Sequence, residues 1–497
     1  MIKLSQKNIN LIPKHIDIPT YNRDDLQEGI IHIGVGGFHR AHQAYYTDEL
    51  IDIDNLDTKE WGICGIGLRE EDRTMYQALK EQDYLYTMMI KSPDRKTKPM
   101  IIGSIKNYIL ALDNPQKAID KIAAPSTKIV TLTITEGGYN FNESTSDFDF
   151  TNPDVQWDLA HPGRPKTVFG YLAAALKKRK AEGRRPFTVQ SCDNIQKNGM
   201  ITRQMLLAFT YQLDAGLAEW IEKNVSFPNS MVDRITPVTT AEDIEELKTE
   251  YHVDDNWPVV CESFRQWIIE DHFVNGRPRW EKVGAQFVPD VEPYEKMKLR
   301  LLNAGHSLLG LIGTLFGHAT IGEAVSDPLL KIILRNFWDE EVTPTLEPVQ
   351  GIDLEEYKER LIERFGNPNV QDKVSRICSE SSAKLPKFLL PTIKEQIKRG
   401  GPIDKGTAVI AAWFRYLELD GQHDVGHTYS IEDTMYDLLQ EKIKESGSEN
   451  PVALLQVEEI FGELSNSKRF VKQYCSMVNE LRNHGAHQMI KRLVNTD

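Results

Sequence analysis

An α/β domain built on a mostly parallel sheet, followed by a mostly α-helical domain, is the fold this sequence predicts. Two observations carry the expectation. Over residues 1–288, short apolar or β-branched runs alternate with helical segments, the pattern of βαβ units. Beyond that point the strand signals fade and 289–497 reads as helices, with a boundary near Asp290-Val-Glu-Pro293. A chain of 497 residues has ample length for two or three cores of this kind.

The elements follow in order. Residues 1–28 are polar and lead into the apolar strand Gly29-Ile-Ile-His-Ile33, which ends at Gly34 and Gly36. Ala41–Ile51 reads as a helix and Trp61–Leu68 as a second strand. Asn114-Pro115 sets an N-cap followed by proline at the first helical position, where its missing N–H costs nothing; that helix runs to Ala123. Lys128–Ile134 is β-branched and bounded by turn residues, so it is a strand. Phe169–Arg179 is a helix and Phe187–Gln190 a strand, whereas Asn229-Ser-Met-Val-Asp233-Arg234, before Ile-Thr-Pro, reads as a loop whose charges pair or meet a ligand. Helices are expected over 293–316, 326–342, 353–365, 371–380, 390–398, 406–419, 431–445, 452–461 and 468–494.

Composition narrows the function classes. Hydrophobic residues at 40% and charged residues at 27% give a soluble globular balance. A net charge of −14 repels phosphates, so neither nucleic acid nor an anionic membrane is an expected partner; Lys177-Lys-Arg-Lys180 reads as the exposed end of a helix. Met1–Asn10 is polar and mixed in charge, unlike a signal peptide, and the apolar run around Leu308–Phe316 is broken by glycine and too short to span a bilayer. Cys64, Cys192, Cys261, Cys378 and Cys475 are scattered without a C-x-x-C pair, which fits reduced thiols in the cytoplasm. The expectation is a cytoplasmic monomer or weak oligomer acting on a small molecule.

Gly34-Val-Gly36, between a strand and a helix, is half of a dinucleotide fingerprint. The first glycine permits the tight turn; the second lets the backbone approach a pyrophosphate at the helix N-terminus. The third glycine is missing, since position 39 is His39, and an ordinary strand-to-helix turn stays open as a reading. Glu70-Glu71-Asp72, just past the second strand, suits ribose hydroxyls and repels a 2′-phosphate, which predicts NAD over NADP; a solvated acidic turn is the competing reading. Ser191-Cys-Asp-Asn194 follows another strand, where α/β sheets place ligand contacts; Asn194 either donates to a developing oxyanion with Asn303 or forms an Asx turn capping the next helix. Glu136 also follows a strand and either faces the cofactor or sits in a turn. His39-x-x-His42 and His423-x-x-x-His427 lack neighbouring ligands, so no zinc site is expected.

Lys298-Leu-Arg-Leu-Leu-Asn303-Ala-Gly-His306 puts three chemically able side chains in an apolar helix. At about 100° per residue, Asn303 lies roughly 140° and His306 roughly 80° from Lys298, all on one side. A helix apolar nearly all round is buried. A buried lysine either pairs, snorkels to water, or loses its proton and becomes a base near neutral pH. Tyr294-x-x-x-Lys298 imitates the short-chain dehydrogenase pair, but it lies outside the glycine turn's domain and is discounted.

Gly34-Val-Gly-Gly-Phe-His-Arg-Ala-His42, Thr133-Ile-Thr-Glu-Gly-Gly138, Ser191-Cys-Asp-Asn194, Asn229–Pro237 and Lys298-x-x-x-x-Asn303-x-x-His306 occur in this order at these spacings. Together they resemble the polyol-specific long-chain dehydrogenases over nearly the whole chain. The resemblance implies a zinc-independent, NAD-dependent enzyme that interconverts a polyol such as mannitol with its ketose, fructose. A uronate reductase or an arabinitol dehydrogenase of the same family is the alternative. It implies an N-terminal Rossmann-type domain, a mostly α-helical C-terminal domain and an active site in the cleft between them. It also implies Lys298 as acid/base, Asn194 and Asn303 as donors to the substrate oxygen, His306 as a positioning group and Glu295 as a proton relay. Asp233, Arg376 and Lys384 match substrate-hydroxyl contacts, with Lys387 an alternative to Lys384. Gly34, Gly36, Phe38, Glu71 and Asp72 match nucleotide contacts.

Overall fold

The computed structural model of the chain describes all residues except 55–57, 95–96, 143–146, 371, 423–428, 448–449 and 496–497. His423 and His427 thus lie outside the described residues. The chain divides into two compact units, Met1–Glu292 and Pro293–Asp497.

The first unit is organised by five parallel strands: β1 (Glu28–Ile33), β2 (Gly62–Gly67), β3 (Ile105–Leu110), β4 (Ile129–Leu132) and β5 (Thr188–Ser191). Their spatial order is β5-β4-β1-β2-β3. The order reverses direction beside β1, and ligands of such sheets bind beyond the strand C-termini at that point. Strand alternation builds the core on both faces. Ile30, Ile63 and Ile129 pack on one side with Trp267 and Trp280, while Ile31, Ile33, Cys64, Val130 and Leu132 pack on the other with Phe169 and Leu206. The helix after β1 is α1 (Gly37–Ala41), which breaks at His42 before α2 (Gln43–Ile53). It therefore starts four residues earlier than Ala41 and is not continuous. The Asn114 carboxamide accepts from the Lys117 N–H at 3.0 Å, so the expected cap forms over helix Pro115–Ile122. The basic Lys177–Lys180 end belongs to helix Val168–Ala181, where Arg179 is buried and donates to the carbonyls of Ala124, Thr127 and Arg185.

One expectation fails here. The Asn229–Arg234 stretch is not a loop: Ser230–Asp233 is a buried strand, antiparallel to Gln266–Glu270. Its backbone is satisfied by that neighbour, and Arg234 turns inward to donate to the carbonyls of Ala41 and Glu262.

In the second unit, one continuous helical stretch runs from Glu292 to Phe316, by length and composition enough to cross a membrane, although 83% of its most apolar window is buried. The apolar run is thus longer than Leu308–Phe316, and it is a core element of this unit. Around it lie helices Pro328–Asn336, Leu354–Phe365, Val374–Cys378, Asp404–Leu419 and Lys468–Val494. The cysteines are free; four are buried, and burial pushes their thiols up, Cys261 to about 11 and Cys378 to about 12. Such thiols are poor nucleophiles.

Candidate active site

At the end of β1, Gly34 adopts φ +91°, and a Cβ there would lie 2.1 Å from the Thr133 carbonyl oxygen. Only glycine fits. Gly36 is extended at the N-cap of α1, and its Cβ position is open, with nothing nearer than 3.8 Å. This is room for a ligand to approach the backbone. The missing third glycine has a structural counterpart. His39 is buried and stacks on His32 of β1, with ring centroids 3.4 Å apart and planes 11° from parallel. Two flat rings make the close helix–strand contact that a glycine permits elsewhere. The His32 ring bonds the hydroxyls of Thr131 at 2.8 Å and Thr133 at 2.9 Å, and the Thr133 hydroxyl donates to the Gly34 carbonyl at 2.7 Å. Burial pushes the His32 imidazole down to about 3 and His39 well below its ordinary range. Both rings are neutral, so they stack without repulsion. His42 stacks on Phe38 and bonds the Gln266 carbonyl. The His39/His42 pair is structural, and among the described residues no three His, Cys, Asp or Glu side chains gather as metal ligands.

A cavity of about 630 Å³ opens beyond these strand ends. Gly34, Glu71 and Asp72 line it, together with Thr135, Asn140 and Lys166; among the described residues Gly36, Phe38 and Glu136 do not. In the acidic cluster Glu70 pairs with the Arg73 side chain and Glu71 with the Arg69 side chain at 3.3 Å, while the Asp72 carboxylate accepts from the Arg69 backbone N–H at 3.0 Å. An open glycine cradle with carboxylates at its edge fits a dinucleotide whose ribose hydroxyls seek acceptors.

The loop after β4 is strained. Thr135, β-branched, sits at φ +58°, a conformation worth roughly 1–3 kcal/mol of strain. Buried Asp193 holds it, accepting from the N–H groups of Ile134 (3.0 Å) and Thr135 (2.9 Å) and from the Tyr139 hydroxyl (2.7 Å). Asn198 then donates to the Asp193 and Ser230 carbonyls, and Ser230 N–H donates back to Asn198. This network fixes the turn carrying Asn194, which is exposed, and the strand carrying Asp233, which is buried. The N-cap of the following helix is Lys197, so Asn194 does not occupy that capping position.

In the second unit Glu295 and Lys298 are both buried and lie one turn apart in helix Glu292–Lys298. The Tyr294 hydroxyl donates to the Gln350 carbonyl at 2.8 Å, committed away from a catalytic pair with Lys298. The helix is then not α. Leu299–Asn303 is a π-turn, with the Ala304 N–H reaching back to Leu299, before α-helix resumes at Ala304–Phe316. The ideal phase at 100° per residue does not hold, because a π-turn accommodates one extra residue. Removing that residue's rotation moves His306 from roughly 80° to about 20° from the Lys298 direction. His306 packs on Phe365 at 4.3 Å between ring centroids. Arg376 is bound through two nitrogens to the Asp372 carboxylate, at 2.6 and 2.5 Å, and Lys384 donates to the carbonyls of Ile377 and Arg376 at 3.1 and 3.3 Å. Burial and the adjacent Arg376 lower the Lys384 ammonium's pKa. Lys387 follows on the same helix, Ser381–Phe388.

Two family models match, the mannitol dehydrogenase Rossmann domain over residues 28–282 and the mannitol dehydrogenase C-terminal domain over 290–482. The chain belongs to the mannitol dehydrogenase family. Among members, mannitol 2-dehydrogenase of Phaeosphaeria nodorum is 45% identical over 98% of this chain and 85% of its own length, and that of Aspergillus terreus is 43% identical over 99% of each. The fold matches the Pseudomonas fluorescens mannitol 2-dehydrogenase ternary complex with NAD and D-mannitol at a TM-score of 0.91, with 46% identity over the whole of both chains. A substrate-free D-sorbitol dehydrogenase matches at a TM-score of 0.89 and 35% identity, covering 98% of this chain and all of its own. The family segments read from the sequence contained Thr133 and Asp193 without giving them a role, and they did not include His32, Asn198 or Trp338. His32 carried a signal, a polar residue inside an apolar strand; the others act by bonding backbone groups of neighbouring elements, which the sequence does not spell out.

Proposed function

We propose that the chain catalyses reversible, zinc-independent oxidation of D-mannitol at C2 to D-fructose, with NAD as the redox partner and Lys298 as general acid/base. As a family member it is an NAD-dependent polyol dehydrogenase. The observation that carries the choice of substrate is the full-length likeness to an enzyme solved with NAD and D-mannitol. Bound NAD supplies the hydride acceptor. Gly34 and Gly36 border its pyrophosphate, and Glu71 and Asp72 accept from its ribose. Lys298, as the free amine, takes the C2 hydroxyl proton while the C2 hydride departs. Asn194 and Asn303 donate to the oxygen as negative charge develops on it, and the C–O bond becomes a carbonyl. His306 orients the hydroxyl, and Glu295, one turn from Lys298, passes the proton onward. In ketose reduction protonated Lys298 returns the proton. Asp233, Arg376 and Lys384 contact the remaining hydroxyls. The dispersed cysteines support a cytoplasmic setting.

A uronate substrate would call on cations at its carboxylate end. The Asp372 carboxylate offsets the charge of Arg376 and two backbone carbonyls share the Lys384 ammonium, so the pair can still bond hydroxyls but offers a carboxylate less free positive charge, which favours a neutral polyol. Assaying mannitol, arabinitol and mannonate side by side with NAD and NADP tests the reading. Mannitol with NAD is expected to turn over fastest; no mannitol oxidation would overturn it.

A further inference from the structure

The π-turn has a keeper. Trp338 is fully buried and its indole N–H donates to the Leu301 carbonyl at 2.9 Å. That carbonyl lies inside the π-turn, between Lys298 and Asn303. The widened turn departs from the i→i−4 ladder: the Leu301 carbonyl takes the Ala304 N–H from only three residues on, and the indole N–H is its second donor, from outside the helix. Gly305, in the first turn of the resumed α-helix, makes room for the indole: a Cβ there would lie 3.1 Å from Trp338 Cζ2 and Nε1. The same indole packs near Phe365, whose ring in turn lies tilted against His306. Trp338 itself begins the second residue of another π-turn, Phe337–Val342, so its placement is set by an unusual backbone as well. Backbone carbonyl, glycine and aromatic shelf thus converge on one side chain.

We propose that Trp338 is a positioning residue, whose hydrogen bond to Leu301 holds the π-turn and so sets the phase of Asn303 and His306 relative to Lys298. Without it the segment relaxes toward a regular α-helix, which turns Asn303 and His306 away from the Lys298 direction by up to about 100°. The base would remain, but the donors and the orienting ring would no longer converge with it. π-Turns of this kind recur at functional sites. The inference rests on Lys298, Asn303 and His306 being the catalytic group.

Trp338→Phe removes the N–H and keeps an aromatic ring; Gly305→Ala keeps the N–H and crowds the indole while favouring α-helix. Each variant is compared with Lys298→Ala, with active sites counted by NADH binding. Both are expected to lower kcat for mannitol oxidation at least tenfold per NADH-binding site. The NADH Kd should stay within twofold, and the primary deuterium isotope effect on kcat with C2-deuterated mannitol should rise as the chemical step becomes limiting. If both variants only lose thermal stability and keep kcat per site and the isotope effect, Trp338 is a packing residue and the proposal fails. If Lys298→Ala itself turns over normally, the catalytic assignment fails instead.

Discussion

The glycine turn of the first unit and the lysine helix of the second both depart from their standard patterns, and they do so by opposite means. At the glycine turn the backbone is as expected and a side chain is wrong: His39 stands where a glycine is usual, and His32 supplies a flat partner that restores close packing. At the lysine helix the side chains are as expected and the backbone is wrong: the ladder widens at Leu299–Asn303, and a tryptophan from another helix holds the displaced carbonyl. The side-chain exception is met within one strand-to-helix unit, by the ring of His32 stacked on His39. A backbone exception needs help from 37 residues along the chain.

Removing Lys298 is the most severe way to separate the two regions. Lys298→Ala should lower turnover by about 10²–10⁴-fold, the usual worth of a general base, and leave NADH binding unchanged by fluorescence titration. Loss of NADH affinity along with turnover would break the division between a binding turn and a reacting helix. Gly34→Ala attacks the other side. Its Cβ meets a backbone oxygen at 2.1 Å and φ is +91°, so the turn must move. NADH Kd should rise about tenfold or more, with a stability loss above about 1 kcal/mol in chemical denaturation; unchanged affinity would show that the turn does not carry the nucleotide. The gentlest test is acidity. Burial holds His32 and His42 down to about 3, against an ordinary 6.5. The unfolded chain therefore binds more protons than the folded one between those values. Their contribution to stability is complete above pH 6.5 and declines as pH falls toward 3, by at most about 1.4 kcal/mol per pH unit for each histidine. His42→Phe should flatten the loss of thermal stability between pH 6.5 and 4. An unaltered slope would mean that His42 takes up its proton in the fold.

Four strands of the parallel sheet were legible because they are short, apolar and bounded by turn residues: β1, β2, β4 and β5 each fall within two residues of their expected edges, whereas β3, Tyr86–Lys91, Thr97–Ile102 and Val259–Glu262 were not singled out. Ser230–Asp233 was not, because a four-residue strand with polar ends carries no alternation to read. The chemistry-bearing letters of the second unit were visible as polar residues in an apolar helix. Their phase was not, because a π-turn is a shift of backbone hydrogen bonds with no letter of its own. Nor was the commitment of Arg376 to Asp372, four residues earlier in sequence but separated from it by a helix start.

The stacked imidazoles beneath Gly34 carry a consequence for how the protein divides its labour with protons. Since neither ring charges across the neutral range, the floor under the glycine cradle presents the same electrostatic face to a pyrophosphate at pH 6 as at pH 8. Under the proposed mechanism, cofactor grip would be insulated from ambient acidity there, and sensitivity to pH would be left to the helix that carries Lys298.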